Sequence, residues 1–168
     1  MTLSPLALED ADSHLAGEDE LLVRWLNGGP STRTGTETYF RHCMEQWRVG
    51  GPLRAFGVRV GRPAALAGTI DLRFEQPGLT VGQVNIAYGL YPAWRGQGLA
   101  TRAVGLVCRY AADQGAAEAV IQVDPDNPGS EAVARWSGFT YARQVRDENR
   151  NCFIWYVCDL SASLGRCF

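Results

Sequence analysis

Gly96 and Gly98 stand two residues apart, with Arg95 before them and Leu99, Ala100 and Thr101 after them. Upstream, Val84 to Leu90 is an apolar, β-prone run. Downstream, Leu99 to Gln114 places Ala100, Ala103, Val104, Val107, Cys108 and Ala111 at helical spacing. Strand, glycine-rich turn and helix start, in that order, make an anion site. The first amides of a helix lack intrahelical acceptors and lie at the positive end of its dipole. Two glycines let the backbone approach a phosphate without a Cβ in the way. The stretch Tyr91 to Thr101 therefore predicts a phosphate cradle.

Two phosphate ligands can be weighed from the residues. Gly96-x-Gly98-x-x-Thr101 fits a degenerate dinucleotide fingerprint, with Glu118 at about the distance of a ribose-binding acid. A dinucleotide fold, however, sets its glycine turn inside repeated βαβ units, and here the turn follows a run of hairpin-linked strands. A P-loop is excluded because the chain has no lysine to contact phosphate.

The elements that must position the turn can be read in order. Thr2 to Leu8 alternates as a short strand, and Glu9, Asp10 and Asp12 supply acids for a helix start. Leu21, Leu22, Trp25 and Leu26 form the apolar stripe of a short helix that Gly28-Gly29-Pro30 ends. Thr34 or Thr36 is expected to cap a second helix through Tyr39, Phe40, Cys43, Met44 and Trp47, which Gly50-Gly51-Pro52 stops. These aromatics are expected in core and lid packing, or lining an acceptor pocket. Three β runs follow in meander order, Arg54 to Val60, Ala64 to Phe74 and Leu79 to Leu90, and their short turns force antiparallel neighbours. After the Leu99 helix come a strand from Ala117 to Val123 and a helix from Ser130 to Ser137. Phe139 to Val145 and Cys152 to Leu160 close the chain as two strands joined by the charged turn Arg146 to Arg150. The expected fold class is α+β, a mixed, mostly antiparallel sheet with flanking helices, formed by residues 1–168 as a single domain.

Composition removes several function classes. At 168 residues, with 46% hydrophobic and 20% charged residues, the chain is long enough to bury a full core. A net charge of −2 gives no electrostatic case for nucleic acid or an anionic membrane surface. All sixteen basic residues are arginine, a compositional bias without mechanistic weight in this reading. Cys43, Cys108, Cys152, Cys158 and Cys167 show no Cys-x-x-Cys spacing, and residues 1–12 do not read as a signal peptide. Cys152 and Cys158 would share a strand face about 20 Å apart, too far for a bridge. His14 and His42 lie in no ligand-spaced cluster, and no run approaches the ~20 apolar residues of a membrane span. A reduced, soluble, metal-free cytoplasmic protein is expected.

Set in this order of elements, Arg95-Gly96-Gln97-Gly98-Leu99-Ala100 resembles the acetyl-CoA loop (Arg/Gln-x-x-Gly-x-Gly/Ala) of the GCN5-related N-acetyltransferases, the GNAT superfamily. The resemblance continues through Asn127-Pro128-Gly129-Ser130 and Gly138-Phe139, which match a later motif of the family at its spacing. The Leu90-Tyr91-Pro92 lead into the loop resembles the branch that acetylates ribosomal-protein N-termini. The resemblance implies a sheet splayed at its fourth and fifth strands and transfer of an acetyl group from acetyl-CoA to a primary amine. The amine could belong to a protein N-terminus, a small molecule or an aminoglycoside-type antibiotic; Glu18, Asp19, Glu20 and Glu37 would lie near its cleft. It also implies that amides of Gln97, Gly98, Leu99, Ala100 and Thr101 bind the CoA pyrophosphate, with Arg95 and Gly96 in the same loop. Leu90 and Tyr91 would offer backbone groups to the pantetheine arm, and an amide near Leu90 would polarise the thioester oxygen. Asn127 would bond the pantetheine or the cofactor loop. Ser130, the motif serine, is a candidate for both the catalytic and the cofactor-binding set, or serves only as a helix cap. Many relatives dimerise, so a homodimer is compatible with the chain.

Attack by a neutral amine requires a proton acceptor. Where members of the family carry Glu on the fourth or fifth strand this chain has Asn85 and Gln122, and where a Tyr acid is usual it has Ala134. Asp71 on the third strand, facing the cleft or an open sheet edge, is the leading candidate base, with Glu75 second and Tyr88 and Tyr141 as proton carriers. The missing acidic groups also motivate an alternative, an acyl-CoA-binding sensor or interaction module without turnover.

Overall fold

The computed structural model describes residues 1–146 and 151–161. Residues 147–150 of the charged turn and residues 162–168, with Cys167 and the tail expected to dock on a neighbour or fray, lie outside the described residues.

The described strands are β1 (Thr2–Pro5), β2 (Leu53–Val60), β3 (Ala65–Arg73), β4 (Gln83–Leu90), β5 (Glu118–Val123), β6 (Thr140–Arg146) and β7 (Cys152–Asp159). They form one seven-stranded sheet in the order β1-β2-β3-β4-β5-β7-β6. The β4–β5 pair is parallel and holds only three residue pairs, Gln83 to Asn85 against Glu118 to Val120. The helices are α1 (Ala11–Gly17), α2 (Glu20–Leu22), α3 (Arg33–Val49), α4 (Leu99–Asp113) and α5 (Pro128–Trp136). The expected α+β class, with a mixed and mostly antiparallel sheet, is the observed one. The chain divides into two compact units, Met1–Arg73 with Tyr88–Ala100, and Phe74–Ala87 with Thr101–Phe168.

In the first unit, Leu6, Ala11, Leu22, Phe40, Cys43, Ala55, Leu66 and Tyr91 make one apolar cluster. Phe40 and Cys43 come from α3, whose buried residues Thr36, Phe40 and Cys43 fall at i, i+4 and i+7 on one face. Thr32, not Thr34 or Thr36, caps this helix, its side chain accepting from the Gly35 amide at 3.1 Å. The cap falls a residue pair earlier than expected because Thr34 and Thr36 already lie within the helical turns. Gly50, at φ 68°, ends the helix in the left-handed conformation that glycine favours. The apolar stripe of α2 continues through a wider π turn, Val23–Asn27, capped by Gly28 at φ 69°. Asp10 does more than begin a helix. It is 5% exposed and accepts from Arg59 Nη1 and Nη2 at 2.9 and 2.8 Å, while Arg59 Nε donates to Ser4 Oγ. A buried, bidentate pair of this kind fixes the chain after β1 to β2.

In the second unit, Ala103, Val104, Val107, Cys108 and Ala111 of α4 are all buried, as the helical spacing requires. β5 is buried along Ala119, Val120 and Ile121 and pairs antiparallel with β7. β7 in turn pairs with β6, where Ala142 is an extra residue between the pairs Tyr141↔Tyr156 and Arg143↔Trp155. β6 is the outer strand, and six of its seven residues are exposed. Among the described residues no helix is long and apolar enough to cross a membrane. Also among them, no group of three or more His, Cys, Asp or Glu side chains could hold a metal ion.

At the end of β4, backbone approaches backbone closely. A Cβ at Gly68 of β3 would lie 2.2 Å from the Gly89 carbonyl oxygen and 2.8 Å from Leu90 Cα, both backbone atoms. A Cβ at Gly89 would lie 2.4 Å from Leu22 Cδ2 and 2.9 Å from Leu26 Cδ2, both side-chain ends that can shift. Gly68→Ala is therefore expected to destabilise by about 1–3 kcal/mol or more, and Gly89→Ala by less. Thermal melts of the two variants check this. A Gly68→Ala melting temperature equal to wild type would contradict the close approach.

Candidate active site

The turn from Tyr91 to Ala100 is built on a bulge in β3. Val58 pairs with Gly68 and Arg59 with Leu66, which leaves Ala67 as the extra residue. The Ala67 carbonyl accepts the Tyr91 amide at 2.9 Å, and the Tyr91 carbonyl accepts the Trp94 amide at 2.9 Å. That second bond opens a single 3-10 turn, Pro92–Trp94. The Tyr91 side chain is 4% exposed. Its ring lies where a Cβ on Gly17 would come within 2.4 Å of Cγ, so α1 meets the ring at a residue with no side chain.

The Tyr91 phenol lies 2.9 Å from His14 Nδ1, and the His14 ring packs edge-on to both Tyr91 and Phe40. Burial holds the His14 pKa below its ordinary value against the opposing pull of Glu18 and Asp10. Burial likewise raises the Tyr91 phenol. A neutral imidazole and a protonated phenol share this hydrogen bond, with its direction set by the imidazole tautomer.

Arg95 is held on two sides. Its Nε donates to the Leu90 carbonyl at 2.8 Å, and Nη1 and Nη2 donate to the Asp19 carboxylate at 2.7 and 2.8 Å. Asp19 is also the cap of α2, accepting from the Leu22 amide at 3.1 Å. Hydrogen bonding from Arg95 holds the Asp19 carboxyl below its usual range. The Arg95 guanidinium is thus a brace between α2 and the end of β4. The Leu90 carbonyl and Tyr91 amide, expected to be offered to a ligand, are engaged within the protein by Arg95 and Ala67.

The turn itself is open. Gly96 and Gly98 take φ values of 72° and 70°, a region costly for side-chain-bearing residues. No protein atom lies within 4 Å of where a Cβ would stand at either. Gly96, Gln97 and Gly98 are exposed, whereas Leu99 is buried at 5% and anchors the start of α4. Gln97 Nε2 donates to the Ala93 carbonyl at 3.0 Å, which turns that side chain back along the loop. The first turn of α4 has no acidic residue, so its unpaired amides meet no competing carboxylate there.

Asp71 does not lie at an open edge. β3 is flanked by β2 and β4 in the sheet, and Asp71 is 8% exposed. Its Oδ2 accepts from Tyr39 Oη at 3.2 Å and from Arg73 Nη2 at 3.1 Å. Tyr39 is raised by burial and by the Asp71 charge, and burial pushes the neighbouring Cys43 thiol up to about 11. Glu75 is exposed and stands beyond the end of β3.

In the second unit Asn127 caps α5, its Oδ1 accepting from the Ser130 amide at 3.0 Å. Ser130 is the third residue of the helix and not its cap. The helix begins two residues earlier than expected because Pro128 suits a first helical position. Asp124 Oδ1 accepts from the Asp126 amide at 2.8 Å and shapes the turn before the cap. Ala134 is wholly buried, so a methyl group fills the place expected of a tyrosine acid. Tyr141 is 60% exposed and lies edge-on to Tyr156, whose hydroxyl donates to Glu131 Oε1 at 2.9 Å. Residue-by-residue reading gave no role to His14 or Gly17, and offered Asp19 only as one of four acids near the acceptor cleft. Only Asp19 left a signal, as an acid three residues before Leu22 at a helix start.

The sheet, the bulge and the open glycine turn before α4 make an architecture of the acyl-CoA N-acyltransferase kind. The chain belongs to the GNAT acetyltransferase family: the family model described as Acetyltransferase (GNAT) domain matches residues 1–140. Spermidine N-acetyltransferase from Vibrio cholerae, solved with CoA and spermine, has a TM-score of 0.80 at 15% identity, over 98% of each chain. RimJ of Mycobacterium smegmatis, solved with CoA-disulfide, has a TM-score of 0.77 at 18% identity, over 98% of this chain and 84% of its own. The microcin C7 self-immunity acetyltransferase MccE, in complex with acetyl-CoA and AMP, has a TM-score of 0.78 at 17% identity, over 94% and 91%. Similarity at these identities establishes the fold. A comparison with curated protein sequences gives no match.

Two predictions follow from the His14 and Asp19 contacts. His14 is lowered from 6.5 in the fold, so below that pH the unfolded chain binds the extra proton first. The His14 contribution thus makes stability fall as pH drops below 6.5, and His14→Gln is expected to flatten this part of a melting-temperature profile. Asp19→Asn removes the charge facing Arg95. It is expected to loosen the turn and weaken acetyl-CoA binding severalfold in calorimetry, with the far-ultraviolet spectrum unchanged.

Proposed function

We propose that residues 1–168 form one cytoplasmic N-acetyltransferase domain that moves an acetyl group from acetyl-CoA to a primary amine. The observation that carries this reading is the turn itself: two left-handed glycines open to solvent, followed by helix amides with no acid beside them. That arrangement fits a pyrophosphate, which the amides of Gln97 to Thr101 would hold. Arg95 acts as a positioning residue through Leu90 and Asp19. Asn127 shapes the start of α5, and Ser130 stands in its first turn. The leaving thiol, with a pKa near ~8.5, departs without a dedicated acid, which suits a buried Ala134. The acceptor is a protein N-terminus or a small amine. The family membership supports acetyl transfer, and the likeness to the spermidine enzyme solved with spermine supports a small amine.

A second reading, acyl-CoA binding without turnover, is favoured by one observation. The carboxylate expected to serve as base, Asp71, is bound by Arg73 and Tyr39.

Calorimetry with acetyl-CoA, together with CoA release measured over a panel of peptides, polyamines and aminoglycosides, separates the two. Acetyl-CoA binding with amine-dependent CoA release is expected. Binding without release supports the second reading, and absence of binding sinks both. Gly98→Val combines backbone strain of about 1–2 kcal/mol with a side chain in the open turn. It is expected to weaken acetyl-CoA binding at least about tenfold, since ~1.4 kcal/mol is one decade in affinity.

A further inference from the structure

Residues 74–82, which lead into β4, belong to the second unit. In the sheet β5 stands between β4 and β7, and neighbouring strands lie about 4.8 Å apart. Gly78 nonetheless reaches Trp155 of β7. A Cβ on Gly78 would stand 3.2 Å from Cη2 and 3.4 Å from Cζ2 of the indole. The segment therefore spans β5 on the face to which Trp155 points. Register fixes that face: Trp155 stands opposite Gln122 of β5 and Arg143 of β6, and partners in register share a face. Tyr156, the next residue, points the other way and donates to Glu131 of α5. One side of these strands thus carries a helix, and the other carries a strap of backbone.

The strap has an anchor and a separate latch. At the anchor the Gly82 carbonyl accepts the Ala117 and Glu118 amides at 2.8 and 3.1 Å. Gln83 ties the same end twice, Oε1 accepting the Thr80 amide and Nε2 donating to Glu118 Oε2. At the latch the Arg143 guanidinium lies over the Trp155 ring at 4.3 Å, while Nη2 donates to the Gly78 carbonyl at 3.2 Å. Between the two, the Leu79 amide donates to the Gln76 carbonyl, a bond internal to the strap. Gly78 and Gly82 take φ values of 89° and 85°, which glycine adopts without steric cost. Closed, the strap leaves polar atoms unmet. Gln76 Oε1 within it and Gln122 Nε2 on the face it crosses are buried, with no hydrogen-bond partner among the described residues. Water admitted on opening would satisfy both, which lowers the cost of release.

We propose that residues 74–82 form a hinged strap, latched at Gly78 by Trp155 and Arg143, whose release uncovers the Trp155–Gln122 face of the second unit. The inference goes beyond the acetyl-transfer reading and does not depend on it. The strap pivots at Gly82, where the chain stays bonded to the start of β5, and the turn from Gln76 to Leu79 swings as one piece. With the strap closed, Trp155 is 4% exposed. Release presents an indole, a guanidinium and an amide side chain to solvent, a surface that the closed strap occludes.

Amide hydrogen exchange on the full chain, read peptide by peptide, tests the latch. In Arg143→Gln, an exchange made at an exposed position, the amides of residues 76–80 are expected to exchange severalfold faster than in wild type. Val104 and Val107 of α4 and Val120 of β5, all wholly buried, are expected to keep their wild-type rates. Wild-type rates in the strap overturn the proposal. So does a rise that α4 and β5 share, because the strap would then have no opening of its own. Acrylamide quenching reads the same event at the ring, with the Trp155 signal taken as the difference between each protein and its own Trp155→Phe counterpart. The indole is expected to be shielded in wild type. It is expected to become accessible in Gly78→Val, where the new side chain presses on the ring and the backbone conformation is strained. Quenching of Trp155 that stays at the wild-type level in both Gly78→Val and Arg143→Gln overturns the proposal.

Discussion

The end of β4 is held by backbone meeting backbone. Gly68 of β3 has no side chain because the Gly89 carbonyl and Leu90 Cα occupy that space. The bulge at Ala67 then aims a carbonyl at the Tyr91 amide, and the strand cannot slide without breaking that bond. Everything downstream inherits this position: the 3-10 turn, the two left-handed glycines and the first residues of α4. Close backbone contacts of this sort leave little room for adjustment, since interiors are packed as densely as organic crystals.

The charged groups of the first unit serve that same geometry before they serve chemistry. Asp19 caps α2 and grips both terminal nitrogens of Arg95. Asp10 grips Arg59, and Asp71 is shared by Arg73 and Tyr39. In each case a carboxylate that a sequence reader would offer to a substrate is already satisfied inside the fold. Among the described residues of the second unit, the buried polar atoms left unsatisfied are neutral, at Gln76, Asn85, Gln122 and Ser137. Burial is dearer for a charge than for a neutral amide or hydroxyl, so leaving neutral groups unmet costs the fold less.

Much of this was legible from residue order. The stripe Ala103, Val104, Val107, Cys108 and Ala111 specifies α4, and the Gly96–Gly98 turn before it needs only strand and helix on either side. The antiparallel β2–β3 pair follows from the short turn at Gly61. What escaped was set by partners distant in the chain. Asp19 lies 76 residues from Arg95 and His14 77 residues from Tyr91, separations at which no local pattern operates. The cap of α5 escaped for the opposite reason, because Asn127 and Ser130 both suit a helix start and only the backbone path after Pro128 decides between them. Alternation along β3 likewise cannot report that Tyr39 of α3 reaches Asp71.

The arginines have one more consequence. The pairs Arg95–Asp19, Arg59–Asp10 and Arg73–Asp71 are all guanidinium pairs, and the chain has no lysine. An amine side chain is a nucleophile whenever it loses its proton, and a thioester will acylate it. A guanidinium stays protonated at any physiological pH and does not compete. A member of an acetyltransferase family built this way presents no side-chain amine to an activated acetyl group. The ion pairs that brace its loop are immune to self-acylation, a chemical durability that the same contacts made from lysine would lack.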